Sequence, residues 1–344
     1  MRLIPVLAFA LLLANHQALS SNACSDRSII TAADVTVSDA SSFKTESYYH
    51  SRNNSAIRHL DDQDRWVVVE GPIGWARTDD EAQIGSDFMK LFALGHQYHA
   101  LLLEFDQIAN NVQQNVEVEF AGGTHRALTG DYPFGGIVHL VQSEIEGQPL
   151  GLRFDFPGDT LITSEFLDWR MQDGQSLPFH IRINDGERTF DYRYTSVDIS
   201  SESPLWFFEA VSSPGIDEID VYRLHRKLLA AHCLGDADMM AALSAESVLS
   251  ANRGELAGST NEELRTRFTS LFGILDYTEY HDLLEPTIEV SGDVGWIGVN
   301  TRAVGNAVES QQTFDDQWAW IMTVRKVDGQ WLHTGNASNR LPQN

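Results

Sequence analysis

Short alternating segments separated by turn residues fill the chain from position 116 to position 197. In the last of them, residues 188–197 (RTFDYRYTSV), aromatic side chains alternate with polar ones. Because successive side chains of a strand point to opposite faces of its sheet, this pattern predicts one packed face and one solvated face. Turn pairs such as Gly122-Gly123 and Asp173-Gly174 separate the segments, so the sequence predicts an antiparallel meander. Its six strands are predicted at 116–120, 136–141, 152–156, 161–171, 179–183 and 188–197.

Apolar residues recur at helical spacing earlier in the chain, between Asp79 and Asn110. This spacing predicts one or two helices there. Before them, residues 65–70 (RWVVVE) have the composition of a strand, which is predicted to end at Gly71-Pro72. Residues 24–200 are therefore predicted to form one α+β domain, a curved antiparallel sheet with one or two helices.

Serine, proline and glycine become frequent in residues 201–215, which are predicted to be a linker. The second domain, residues 216–341, is predicted to open with an amphipathic helix that ends at Gly235. A second helix follows, and a third is predicted to begin at Thr260, where Glu263 completes a capping box.

Strands are predicted for the rest of the second domain, at 277–283, 287–290 and 295–303 and in a closing hairpin over 318–338. Asp328-Gly329 lies at the centre of that hairpin, and this pair is preferred in two-residue turns. Three helices followed by a strongly bent antiparallel sheet predict an α+β cone with the helices across its mouth. A cone has an interior, and the sequence places tryptophans on the strands that line it.

Charge and composition limit the classes of partner. The 344 residues include 49 Asp and Glu against 24 Lys and Arg, a formal net charge of −25. Such an acidic chain is not expected to bind nucleic acid or an anionic membrane surface. A hydrophobic content of 42% is sufficient for two packed cores.

The first 23 residues have the features of a secretory signal peptide. Arg2 precedes an apolar run over residues 3–14 that is too short to span a bilayer, and small residues follow at Ser20 and Ala23. No later segment is apolar enough for a membrane span, so the mature protein is predicted to be periplasmic or secreted. Lipid attachment at Cys24 stays open as an alternative, although Ser21-Asn22-Ala23-Cys24 lacks the usual leucine.

The chain contains two cysteines, Cys24 and Cys233. They could form one disulfide in an oxidising compartment. However, Cys24 lies in a predicted loose terminus and Cys233 in a predicted helix. The favoured interpretation is an isolated buried thiol at Cys233.

Several motifs of the second half resemble the SnoaL-like branch of the nuclear-transport-factor-2-like (NTF2-like) superfamily. They are 225–236 (HRKLLAAHCLGD), Asp282 with Pro286 (DLLEP), the turn 290–293 followed by Trp296, and the tryptophan-rich hairpin that closes the chain. The resemblance covers residues 216–341 and implies the cone. It does not imply a reaction, since the superfamily includes cyclases, isomerases, epoxide hydrolases, dehydratases and members without chemistry. Members often dimerise through the outer sheet face, which implies a homodimer.

The first half resembles, in pattern only, the periplasmic carriers of outer-membrane lipoproteins. Both combine an export signal with a curved antiparallel sheet and inserted helices. This resemblance implies that the sheet of residues 24–200 could hold an apolar molecule.

Proton-transferring groups in such a cone would be a carboxylate or a histidine in the pocket. A carboxylate among indoles would have a raised pKa, which suits a general base. Asp316 is the predicted acid/base and Asp282 the reserve, with His225 and His232 of the first helix as further candidates. The predicted ligand-binding residues are Trp296, Trp318, Trp320, Tyr280 and Arg302. The structural alternative is that Asp282 and Arg302 form an ion pair and the tryptophans fill a solid core.

His96 and His99 have a spacing that could direct two imidazoles at a metal ion. No third ligand has a fixed spacing to them, so they are interpreted as polar positions at the end of an apolar helix. No metal and no cofactor are predicted. The expected function is binding of a small hydrophobic or aromatic molecule in a Trp-lined pocket. The alternatives are a cofactor-free acid/base enzyme (isomerase, dehydratase or cyclase) and a cell-envelope interaction module without a ligand.

Overall fold

The computed structural model describes residues 24, 26–60, 63–79, 81–133, 135–143, 148–158, 160–252 and 254–341. The predicted signal peptide lies outside the described residues. The chain divides into two compact units. Among the described residues, unit 1 contains those of 27–69 and 73–200, and unit 2 contains Cys24, Asp26 and those of 70–72 and 201–341.

Unit 1 is built on a 13-stranded sheet with the order β6-β5-β4-β3-β2-β1-β13-β12-β11-β10-β9-β8-β7. Apart from β1 and β13, neighbours in this order are also consecutive in sequence. The strands are β1 (Asp26–Val37), β2 (Ser42–Ser51), β3 (Asn54–Leu60), β4 (Asp64–Glu70), β5 (Ile73–Thr78), β6 (Glu81–Ile84), β7 (Asn110–Phe120), β8 (Gly123–Asp131), β9 (Ile137–Val141), β10 (Gly151–Phe156), β11 (Thr160–Gln172), β12 (Gln175–Asn184) and β13 (Thr189–Glu202).

Three short helices pack against this sheet: α1 (Asp87–Gly95), α2 (Tyr98–Leu103) and α3 (Phe105–Ile108). The prediction of one or two helices was therefore wrong in number, because the backbone leaves helical geometry at Gln97 and again at Glu104. The six-stranded meander has seven strands, since β8 was not predicted.

Unit 2 contains a seven-stranded sheet in which β14 and β20 pair in parallel. Its order is β15-β14-β20-β19-β18-β16, and β17 pairs with β18. The strands are β14 (Ser244–Asn252), β15 (Glu255–Thr260), β16 (Leu275–Asp282), β17 (Thr287–Ser291), β18 (Val294–Ala307), β19 (Thr313–Val327) and β20 (Gln330–Arg340). The helices are α4 (Trp206–Ala210), α5 (Asp217–Leu234), α6 (Ala237–Ala242) and α7 (Asn261–Phe272).

Local capping chemistry explains where the helices of unit 2 begin and end. Gly235 ends α5 in the left-handed conformation (φ 62°), which glycine adopts without steric penalty. Thr260 and Glu263 form the predicted capping box of α7. The final hairpin turns through Asp328 (φ 50°) and Gly329 (φ 83°). Two positive φ angles are characteristic of the tight turns that this residue pair favours.

The α4 helix lies inside the stretch that was predicted as a linker. Its three aromatic side chains, Trp206, Phe207 and Phe208, are buried. Among the described residues, no helix is long and apolar enough to cross a membrane.

A disulfide joins Cys24 to Cys233, with the two Cα atoms 5.1 Å apart. The prediction of an isolated thiol at Cys233 was therefore wrong. The backbone N–H of Cys24 also donates to the carbonyl oxygen of Thr278 at 3.3 Å. Because 209 residues separate the two cysteines, no local sequence signal could reveal their proximity.

Candidate functional site

The sheet of unit 2 has a helix-side face, which we define by Ile297, Met322 and Val324, the strand residues that pack with α5. Alternation along β19 places Asp316, Trp318 and Trp320 on this face. Their neighbours in the register extend the face across three strands. Trp320 pairs with Val299, Trp318 with Thr301 and Asp316 with Ala303; Tyr280 and Asp282 of β16 pair with Ala303 and Thr301 from the other side.

Trp296 and Arg302 lie on the opposite face of β18, where they pair with Thr323 and Gln317 of β19. The prediction that these two side chains share an interior with Trp318 and Trp320 was wrong. The buried positions of β18 are the odd-numbered residues from 297 to 305, so the even-numbered ones face away.

Arg302 has partners of its own on that opposite face. It donates two hydrogen bonds of 2.8 Å to Asp315 and one of 3.3 Å to Glu279. The alternative prediction of an Asp282–Arg302 ion pair was also wrong. The guanidinium of Arg302 is therefore bound to the carboxylates of Asp315 and Glu279, on the face opposite to Trp318 and Trp320.

His225 and Asp282 form a hydrogen-bonded pair on the helix-side face. The ring of His225 is fully buried, and its Nε2 lies 2.8 Å from Oδ1 of Asp282. Burial of the Asp282 carboxyl acts to raise its pKa, but His225, Arg226 and His281 outweigh burial and lower the pKa of Asp282. An ionised carboxylate accepts only, so Nε2–H of His225 donates to it.

The other nitrogen of His225, Nδ1, has no hydrogen-bond partner among the described residues. The Trp320 ring lies beside the imidazole, with centroids 5.2 Å apart, and its Nε1–H donates to Thr301 Oγ1 at 3.1 Å. In the neutral tautomer that carries its proton on Nε2, Nδ1 presents a lone pair. A buried polar atom without a partner has a free-energy cost, so this position favours a bound donor.

His232 lies two turns further along α5, inside a ring of aromatic side chains. Its Nδ1–H donates to the carbonyl oxygen of Leu228 at 2.8 Å. The surrounding rings stand nearly perpendicular to it at centroid distances from 4.9 to 5.7 Å, and they belong to Phe268, Phe272, Tyr277 and Tyr280. Burial lowers the pKa of His232 to about 4, so the imidazole is neutral at pH 7.

The lowered pKa of His232 predicts that unit 2 loses stability in mild acid. Below pH 6.5 the unfolded chain binds a proton at this residue and the folded chain does not, down to about pH 4. The stabilisation is thus complete above pH 6.5 and is lost as the pH falls, by about 2 kcal/mol at pH 5. Urea unfolding at pH 7, 6 and 5 measures this loss. In the His232→Gln variant, the free energy of unfolding should fall by about 2 kcal/mol less between pH 7 and pH 5. An equal fall in the variant and the native protein would contradict a lowered pKa of His232.

Asp316, the predicted acid/base, is paired with the guanidinium of Arg340. Its side chain is 14% exposed. Burial, with a contribution from the Asp316 charge, raises the pKa of Tyr277 to about 12. Asp316 is therefore a member of an ion pair. The carboxylate that binds a histidine on this face is Asp282, whose partner is His225.

His96 and His99 of unit 1 bond to backbone carbonyl oxygens. His96 Nδ1 lies 2.7 Å from Phe92 O, and His99 Nε2 lies 2.9 Å from Pro178 O. Burial lowers the pKa of each histidine to about 4. Within the part of the chain that the structure describes, no group of three or more His, Cys, Asp or Glu could hold a metal ion.

An open cleft of about 250 Å³ lies on another side of α5. None of the three tryptophans that were predicted to line a pocket lines this cleft. Sequence patterns did not reveal it, because its walls come from a helix and a hairpin turn that are distant in the chain. It is lined by Ser213, Asp220, Arg223, Leu224, Lys227, Leu243, Gly329, Gln330 and Trp331.

No protein-family model matches the chain, and no curated protein matches it. Solved structures do. A ketosteroid isomerase-like protein from Erwinia carotovora atroseptica matches 37% of this chain and 98% of its own, at 15% identity and a TM-score of 0.33. An NTF2-like superfamily protein from Salmonella enterica matches 37% of this chain and 92% of its own, at 10% identity and a TM-score of 0.34.

A LolA-superfamily protein from Nitrosomonas europaea matches 58% of this chain and 96% of its own, at 11% identity and a TM-score of 0.41. The NTF2-like and LolA-superfamily neighbours are found for the two segments in which the sequence suggested a resemblance. This likeness concerns the fold alone, and no chemistry is assigned from it.

Proposed function

We propose that unit 2 binds a small, mostly apolar or aromatic molecule that donates one hydrogen bond to Nδ1 of His225. The observation that carries this proposal is the fully buried Nδ1 without a partner among the described residues. Trp320 beside the imidazole and Trp318 on the same face supply aromatic surface. Burying one ring contributes on the order of 2–3 kcal/mol, so the apolar part of the ligand supplies most of the affinity.

Titration of tryptophan fluorescence with a panel of sterols, phenols and non-hydroxylated aromatic compounds tests the proposal. Hydroxylated ligands should bind about tenfold more tightly than their deoxy analogues, because they satisfy Nδ1. The informative variant is His225→Gln, whose side-chain amide can still donate to Asp282 while the acceptor at Nδ1 is removed. This variant should lose the preference for the hydroxyl group and keep its fold.

His281 provides a matched control. It directly precedes Asp282, but in the register it pairs with Arg302, on the opposite face of the sheet. His281→Gln should therefore leave ligand affinity unchanged. If no compound quenches or shifts the fluorescence, or if both glutamine variants behave alike, binding at His225 is excluded.

Acid/base catalysis is the second candidate, and the 2.8 Å contact between His225 Nε2 and Asp282 favours it. A carboxylate that holds the proton on Nε2 orients the imidazole and leaves Nδ1 as the base. Such a pair could remove a proton from a carbon or oxygen of the ligand without metal or cofactor.

Exchange of ligand protons for deuterium in D₂O tests catalysis directly, because it needs no knowledge of the product. The best ligand from the titration is incubated with the protein, and loss of a C–H signal is followed by NMR. Asp282→Asn should slow the exchange by about 100-fold or more while binding is retained. Binding without any exchange in the native protein would leave ligand binding as the function.

We also propose that the protein is exported and that Cys24 carries no lipid. The Cys24–Cys233 disulfide supports both points. Disulfides of this kind persist in oxidising compartments such as the periplasm or the extracellular space. A sulfur atom in a disulfide cannot also form the thioether of a lipid anchor. Intact mass measurement of the purified mature protein tests this, since an acylated N terminus would be found as added mass.

A further inference from the structure

The cleft of unit 2 is bordered by one stripe of α5. Asp220, Leu224 and Lys227 follow each other at intervals of four and three residues, which places them on the same side of the helix. The facing wall is Leu243, at the end of α6, and the hairpin segment Gly329–Trp331. His225 does not line this cleft, so any ligand here is separate from the proposed one.

Arg223 lines the cleft, but its donors are already used. Nε and Nη2 each donate to Glu70 at 2.7 Å, Nη2 also donates to Val211 O at 2.7 Å, and Nη1 donates to Phe208 O at 3.4 Å. Lys227 makes no ion pair with any described residue. The ammonium of Lys227 is therefore the positive charge in the cleft that remains for a ligand.

The floor of the cleft is apolar. Leu224, Leu243 and Trp331 line it and are each at most 9% exposed. The indole Nε1–H of Trp331 donates to Asp217 at 3.0 Å. Since the indole N–H already has this partner, the Trp331 ring presents only apolar surface to the cleft.

We propose that this cleft binds a small aromatic monocarboxylate, with its carboxylate at Lys227 and its ring against Leu243 and Trp331. A volume of about 250 Å³ is slightly below the ~300 Å³ at which pockets for drug-sized ligands begin, so the ligand has about one ring. A single available ammonium matches a single negative charge. A phosphate dianion, with twice the charge, would be repelled more strongly by Asp220 than a monocarboxylate.

Isothermal titration calorimetry with three probes of similar shape tests the proposal: benzoate, benzamide and benzylammonium. Benzoate should bind saturably and about tenfold more tightly than benzamide, and benzylammonium should not bind. Lys227→Met keeps the apolar stem and removes the charge, and it should abolish the preference for benzoate. Lys227→Arg keeps the charge and should retain that preference.

Four outcomes would overturn the proposal. They are no saturable binding of benzoate, equal binding of benzoate and benzamide, equal binding by Lys227→Met and the native protein, and loss of benzoate binding in His225→Gln rather than in Lys227→Met. The last outcome would assign benzoate to the His225 site. If benzoate does not bind in the cleft, the His225 proposal still stands, since it is tested with different ligands.

Discussion

Replacing Glu70 by alanine is expected to destabilise unit 2 by about 3–5 kcal/mol. The carboxylate of Glu70 is fully buried, and the Arg223 side chain that it binds is only 8% exposed. Two hydrogen bonds of 2.7 Å join them. Without Glu70, the positive charge of Arg223 stays buried at low dielectric constant with no counter-charge. This lowers the free energy of unfolding. Urea unfolding followed by circular dichroism measures the change in the free energy of unfolding.

The Arg302–Asp315 pair provides a matched control with the same two-bond geometry. Its bonds are 2.8 Å long, but its side chains are 34% and 53% exposed. Asp315→Ala should therefore destabilise by less than about 1 kcal/mol. The double variant Glu70→Leu/Arg223→Met should recover most of the loss, because apolar replacements remove both buried charges. Equal effects of Glu70→Ala and Asp315→Ala would show that burial is not the cause.

Elements of unit 2 were predictable where local chemistry specifies them. The end of α5 at Gly235, the capping box at Thr260 and the turn at Asp328-Gly329 each depend on residues within one turn of the chain. Such signals need no knowledge of tertiary structure.

Strands β1 and β3 were not predicted, because their buried positions include small polar residues. Thr31 and Ser47 are both buried, and their hydroxyl oxygens lie 2.6 Å apart across β1 and β2. Each hydroxyl satisfies the other, so neither position has the apolar character by which a strand is recognised. A prediction from hydrophobic alternation cannot detect such pairs.

The candidate site was predictable in composition but not in its pairing. Alternation alone placed Asp316, Trp318 and Trp320 on one face. The phase of β18 was misassigned because Trp296 looks like a core residue, whereas it packs over Gly298 on the other face. The His225–Asp282 contact joins residues 57 positions apart, so it depends on how α5 packs on the sheet. The sequence predicted His225 and Asp282 separately as candidate catalytic residues. Their hydrogen bond to each other is seen only in the structure.

Removal of the Cys24–Cys233 disulfide is expected to destabilise the protein by about 5 kcal/mol in the chain-entropy model. The two cysteines are 209 positions apart, and the loop that they close contains residues 27–69 and 73–200 of unit 1. Without the cross-link the unfolded chain gains the conformational freedom of that long loop, while the packing of the folded chain is unchanged. The loss should therefore affect the unfolding of both units.

Urea unfolding of the native protein, with and without dithiothreitol, measures this loss alongside a Cys24→Ser/Cys233→Ser variant. The reduced native protein and the double variant should have the same lowered midpoint, because both lack the covalent bond. Dithiothreitol should not change the midpoint of the variant, which serves as the control for other effects of the reductant. A variant as stable as the oxidised native protein would contradict the prediction, because it would mean that the cross-link does not reduce the conformational freedom of the unfolded chain.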